Sequence, residues 1–138
     1  MKISTKGRYA LRLMLDLALN EGSRPVRIKE ISERQGISDK YLEQIISTLV
    51  KNSFVISTRG PQGGYRLSKK PDNYTVGSIL RAIEGKLCPV ACLETEENLC
   101  DRKDECITLL LWEKLDKAIN DVVDSITLQD LIDWNNKK

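Results

Sequence analysis

The stretch from residue 28 to residue 68 restricts the fold of this chain more than any other. Ile28-Lys29-Glu30-Ile31-Ser32-Glu33-Arg34-Gln35 reads as a short helix, and Gly36 suits the left-handed conformation that stops it. Ser38 can cap a second helix over Asp39–Asn52, in which Leu42, Ile45, Ile46 and Leu49 recur at helical spacing and face a core. Lys40, Glu43, Gln44, Ser47 and Lys51 form the opposite, polar stripe. Two helices joined by a short turn, the second polar on its outer side, match a helix-turn-helix whose second helix enters a DNA major groove. A generic helical hairpin has the same pattern, so the next segment decides. Phe54–Thr58 and Tyr65–Ser68 are β-prone and flank Arg59-Gly60-Pro61-Gln62-Gly63-Gly64, a loop composition that belongs in a hairpin. The hairpin reads as a wing. Arg59 at its tip can enter a minor groove, where narrowed A·T-rich DNA concentrates negative potential, or stand as an ordinary exposed charge.

Charge divides the chain at the end of the wing. Residues 1–70 carry 14 lysines and arginines against 6 aspartates and glutamates, and residues 71–138 carry 8 against 14. A net +8 is therefore followed by a net −6. A basic half is the footprint of a polyanion binder, because each cation placed at a phosphate releases condensed counterions. The longest apolar stretches, Leu109–Trp112 and Leu13–Leu15, fall far short of the roughly 20 residues that cross a bilayer. The first six residues also lack a secretory hydrophobic segment, so the expected location is the cytoplasm with no membrane partner.

Around the wing, further helices are expected. Gly7–Asn20 is rich in strong helix formers, apolar nearly all round, and reads as a buried scaffold helix closed near Gly22. Lys69–Asn73 is a turn, and Thr75 can cap a helix that ends at Gly85. A long helix is expected from near Asp104 to about Asp124, followed by a short one capped by Thr127. In the long helix Leu111, Leu115, Ala118 and Val122 form one apolar stripe, and Trp112, Ile119, Val123 and Ile126 a neighbouring one. One stripe can pack on its own body and the other on a second copy, and a two-fold dimer would present two recognition helices about 34 Å apart.

All four cysteines, Cys88, Cys92, Cys100 and Cys106, cluster just before that long helix, and the chain has no histidine. A local cysteine group in a reducing cytoplasm points to metal binding or redox sensing rather than a structural disulfide. Four thiolates suit structural zinc, and Cys92 and Cys100 could instead oxidise to a disulfide without any metal. Without histidine there are no Cys–His or Ser–His catalytic pairs, so no enzymatic activity is expected.

Lys6-Gly7-Arg8-Tyr9-Ala10, Ile31–Ser38, Tyr41-Leu42-Glu43-Gln44 and Arg59–Tyr65 closely resemble the superfamily of transcription regulators that includes IscR, NsrR and CymR. The likeness spans the chain and is densest before residue 70. It implies a mainly α fold, with a winged helix-turn-helix and two-stranded β wing over residues 1–70. Residues 71–138 would form a cysteine-loop sensor and a long dimerisation helix. Double-stranded palindromic promoter DNA would be the ligand of the homodimer, and Ser38, Lys40, Tyr41, Glu43, Gln44, Arg59 and Gly60 the DNA-binding residues. Glu43 would discriminate, since a carboxylate repels the backbone yet accepts from cytosine N4. Cys92, Cys100 and Cys106 would hold an iron–sulfur cluster, 2Fe–2S ahead of 4Fe–4S, with metal-free thiol chemistry next and zinc last.

The sensing half departs from the family pattern. Seven residues separate Cys92 from Cys100, where five are usual in IscR, and the expected histidine is Leu109. The aspartate used by NsrR-like proteins corresponds to Arg8, so Cys88, Asp101, Asp104 and Glu105 become candidates for the fourth ligand, Cys88 foremost. A regulator without a cluster that acts with a protein partner, like CymR, is the alternative.

Overall fold

The structure, a computed structural model, describes residues 2–138, which form six α-helices, one β-hairpin and two short 3-10 turns, Pro71–Asn73 and Ala91–Leu93. Helix α1 (Thr5–Asn20) opens on Ser4, whose hydroxyl accepts the Gly7 N–H at 2.9 Å. It therefore starts two residues before the expected Gly7. It ends at Asn20 as expected, but Glu21 caps it in an extended conformation and Gly22 does not take the left-handed form. The Glu21 carboxylate turns instead to accept the Leu67 N–H at 2.8 Å, tying the helix end to the wing.

Helices α2 (Ile28–Gln35) and α3 (Asp39–Lys51) meet through Gly36, which is left-handed at φ 67° and returns its N–H to Ser32 O. Ser38 caps α3 by accepting from Tyr41 N. Leu42, Ile45, Ile46 and Leu49 are buried, as their spacing predicts. The wing consists of β1 (Val55–Thr58) and β2 (Gly64–Leu67), antiparallel with Val55 opposite Leu67 and Thr58 opposite Gly64. Val26 adds a single rung on the other edge of β2 by exchanging both backbone hydrogen bonds with Tyr65, at 2.7 and 2.8 Å. Glycine is required at that rung, because a Cβ on Gly64 would lie 2.5 Å from Val26 O.

Helix α4 (Val76–Glu84) runs from its Thr75 cap to Gly85 as expected. Helix α5 (Thr108–Ser125) starts four residues later than Asp104, because Asp101–Glu105 form successive turns with i to i+3 bonds and bury nothing. Helix α6 (Leu128–Asn136) is capped by Thr127 and returns to the body, where Leu128 N donates to Tyr74 O and Val76 N to Ile126 O. Ala10, Leu13, Met14 and Leu17 of α1 lie at the centre of the core. Tyr74, Ile79 and Leu128 share that core with Ile31, Leu42 and Ile45, so residues on both sides of position 70 fold as one unit. No helix among the described residues is long and apolar enough to cross a membrane.

Candidate nucleic-acid interface and cysteine loop

Packing dictates which side of α3 faces out. With its apolar stripe sunk in the core, Lys40, Glu43 and Gln44 are exposed. Ser38 is exposed too; its oxygen is engaged by Tyr41 N, while its O–H remains able to donate. Glu43 makes no ion pair among the described residues, so its carboxylate is not neutralised by Lys40. Tyr41 is half-buried, its ring meeting that of Tyr9 edge-on at 5.6 Å. At the other end of this surface Arg59 and Gly60 are exposed at the wing tip, where Gly60 adopts φ 102°.

A buried charge that the sequence did not single out holds this surface in register. Asp16 is 2% exposed in the middle of α1. Its carboxylate accepts a fork from Arg34, with Nε at 3.0 Å and an Nη at 2.7 Å, and a further bond from the Gln35 amide at 2.8 Å. The Gln35 side-chain oxygen accepts in turn from Arg12 Nε at 3.1 Å, and the Arg12 guanidinium lies 5.2 Å above the Tyr9 ring. The chain Asp16, Arg34 and Gln35, Arg12, Tyr9, Tyr41 thus connects α1, the end of α2 and the first turn of α3. Asp16 raises the already high pKa of Arg34 by hydrogen bonding. The available signal was a lone acid inside an otherwise apolar helix, but its partners lie 18 and 19 residues away in sequence.

The wing is anchored at its base by Tyr74. This buried hydroxyl donates to Phe54 O at 2.7 Å and accepts the N–H groups of Ser68 and Lys69 at 3.0 and 3.1 Å.

The cysteine loop is built differently. Cys88, Cys92 and Cys106 are half-buried and Cys100 is exposed, all as free thiols. Cys92 and Cys100 line one open hollow, and Cys100 and Cys106 line the next. Among the described residues no three cysteine or carboxylate side chains converge as a ready metal site. Cys106 lies just before α5, where the Thr108 hydroxyl and then the Leu109 N–H favour its thiolate and lower its pKa. Burial raises that of Cys88, with Glu94 and Asp116 adding to the effect. Leu109 stands where a histidine ligand was expected, and Arg8 spends one guanidinium nitrogen on Thr5 Oγ1 at 3.0 Å. Donor chemistry fits a cluster at Cys92, Cys100 and Cys106, although the described residues do not gather these thiols into one ligand set.

Helix α5 has no fully buried residue. Val123 and Ile126 pack beside Val76, Leu80 and Leu87, whereas Leu111 is 54% exposed and Val122 56%. Arg81 pins the helix to α4 by a fork to Asp124 at 2.7 and 2.9 Å and a bond to Asn120 at 2.5 Å. That fork lowers the Asp124 pKa.

Comparison with known proteins covers both halves of the chain. The profile of the Rrf2 family, described as iron-dependent transcriptional regulator, matches residues 3–134. An HTH-type transcriptional regulator IscR of Pectobacterium atrosepticum is 44% identical over 138 residues, covering 100% of this chain and 82% of that protein. Among solved structures, CymR, described as the global cysteine regulator of B. subtilis, superposes with a TM-score of 0.79 at 42% identity, covering 97% of this chain and 98% of that one. The IscR of T. potens gives 0.77 at 43% identity, covering 96% and 87%. The chain therefore belongs to the Rrf2 family of winged-helix transcription regulators, which are DNA-binding proteins and not enzymes.

Proposed function

We propose that this chain is an IscR-type regulator that binds palindromic promoter DNA as a homodimer and adjusts that binding through an iron–sulfur cluster. The observation that carries the DNA reading is the exposed polar face of α3, with Ser38, Lys40, Glu43 and Gln44 open to solvent and the Arg59–Gly60 tip beyond it. In this reading Ser38, Lys40 and Tyr41 contact phosphates or base edges, Glu43 and Gln44 read bases, and Arg59 enters the minor groove. The functional division falls near residue 70 although the core does not: residues 1–70 grip, and residues 71–138 sense and dimerise. The exposed stripe Leu111, Leu115, Ala118 and Val122 supplies the dimer contact.

Cys92, Cys100 and Cys106 would hold the cluster, 2Fe–2S before 4Fe–4S, with Cys88 as a fourth ligand and zinc as the lesser alternative. A bound cluster supplies a redox-responsive centre. The chain's own part is to carry three thiols on a segment that ends at the first turn of α5, so that gathering them draws on the helix that bears the apolar stripe. A regulator acts only through a difference in affinity between its two states.

A second reading has one observation in its favour. The thiols lie apart, and the chain matches nearly the whole length of B. subtilis CymR. A metal-free regulator responding through cysteine thiols, with a protein partner, fits both facts.

Selection from random duplex DNA with anaerobically purified protein tests the proposal. The expected product is an inverted repeat with half-sites about 34 Å apart, bound with an affinity that falls steeply with salt. Recovery of unrelated sequences would overturn it. Iron and sulfide assays and visible spectra on the same preparation separate the readings: stoichiometric iron and sulfide support the cluster, and colourless protein supports the second.

A further inference from the structure

The wing tip is tied to α2 by a single side chain. Among the described residues, Arg27 is the only residue outside the hairpin that hydrogen-bonds any of residues 59–63: its Nη2 donates to the Pro61 carbonyl. The remaining tip bond is internal, from Gly63 N to Gly60 O at 2.9 Å. Arg27 itself is fixed from behind. It is the residue before α2, its own N–H meets the Glu30 carboxylate at 3.4 Å, and Arg24 holds that same carboxylate at 3.0 Å. The preceding residue, Val26, pairs with Tyr65, one step below the Thr58–Gly64 pair that closes the tip. Consecutive residues thus hold the hairpin at two heights, one by backbone and one by side chain.

From this geometry we infer that Arg27 is a positioning residue for DNA reading: it holds the 59–63 tip at a set angle to the α2–α3 pair so that Arg59 meets the groove beside the base pairs read by α3. A two-stranded ribbon is pliable by itself, and a tip joined only through its strands would sweep a range of positions. An arginine suits the task because its planar fork offers several donors at the end of a long stem, so one bond to a carbonyl restrains a segment 34 residues away. Arg27 is exposed, and its replacement leaves the core untouched.

The inference rests on the minor-groove role proposed for Arg59, and the test separates the two. Wild type, Arg27→Met, Arg59→Ala and the double variant are titrated with two duplexes that carry the selected operator and differ only in A·T or G·C pairs beneath the wing. Wild type is expected to favour the A·T duplex by roughly tenfold. Arg27→Met and Arg59→Ala each bring that preference to within about twofold of unity, and the double variant goes no further, as expected for residues acting as one unit. An unchanged preference in Arg27→Met, with equal weakening on both duplexes, would make Arg27 a plain phosphate contact and overturn the inference. A second measurement is independent of DNA. Backbone 15N order parameters at Gly60, Gln62 and Gly63 of the free protein are expected to drop in Arg27→Met, and unaltered values would overturn the tether even if wild type proved indifferent to the flanking pairs.

Discussion

The DNA-facing surface and the cysteine loop of this regulator are opposites in construction. The first rests on a full core and a chain of hydrogen bonds and aromatic contacts from Asp16 to Tyr41, with Tyr74 and Val26 bracing the wing. The second is a run of turns with free thiols, leading into a helix with no fully buried residue. Leu99, Ile107 and Leu110 there are 71%, 80% and 60% exposed. A reading surface must hold its side chains to fractions of an ångström before DNA arrives. A sensing surface must instead have two arrangements of similar energy, and a segment with few buried contacts provides them. Under the proposed function, the contrast is therefore between a site complete in one chain and a site that a second chain and a ligand would complete.

The largest break in that contrast is expected at α5. Replacing Leu111 and Leu115 together by Asp should leave the fold intact, because both are exposed in the single chain, yet yield a monomer in sedimentation velocity. Operator affinity should then fall by about 10² or more through loss of bivalent engagement. A dimer that survives would show that another face joins the copies.

On the rigid side, Asp16→Ala removes a buried carboxylate and leaves Arg34, about one-third exposed, without its partner. Removing one member of a fully buried pair costs about 3–5 kcal/mol, and the partial exposure of Arg34 reduces this to about 2–3 kcal/mol. Urea unfolding measures it. In contrast, Cys100→Ala, at an exposed position, should change stability by less than about 0.5 kcal/mol.

Glu43→Ala sharpens the comparison on the reading surface itself. With no intramolecular ion pair to lose, its effect should fall on base preference, at about 1–3 kcal/mol between operators that differ at the contacted pair. Equal affinities for all operators before and after substitution would remove its discriminating role.

A further small effect concerns the Arg81–Asp124 fork. Since the folded protein lowers the Asp124 pKa, the fork's stabilisation is complete above the ordinary carboxylate range and fades as pH falls through the lowered value. Both side chains are partly exposed, so less than about 1 kcal/mol is at stake. Asp124→Asn should flatten that acid-side slope, lowering stability by less than about 1 kcal/mol above the ordinary carboxylate range and converging with wild type as the pH falls.

Much of the reading half was legible in the sequence. The apolar spacing of Leu42, Ile45, Ile46 and Leu49, the Ser38 cap and the Gly36 stop are local signals, and local hydrogen bonds enforce them. What escaped depends on long-range partners. Asp16 meets Arg34 across two helices, and Glu21, the extended residue after α1, sets its carboxylate on the Leu67 N–H of the wing. The start of α5 was misplaced for a different reason: Asp101–Glu105 favour helix by composition, yet nothing packs against them to hold one. The four cysteines were visible as a group, but sequence proximity does not make ligands converge, and Leu109 and Arg8 occupy the two positions where the resemblance places a fourth ligand.

The division between a finished reader and an unfinished sensor is tested most directly by DNA-binding isotherms at one salt concentration. These compare cluster-loaded protein, cluster-free protein and the Cys92→Ala, Cys100→Ala, Cys106→Ala triple variant on the selected operator. The account predicts sequence-specific binding in all three, with cluster-free and triple-variant protein alike and the loaded form different in affinity or operator preference. Identical isotherms and preferences in all three would contradict it.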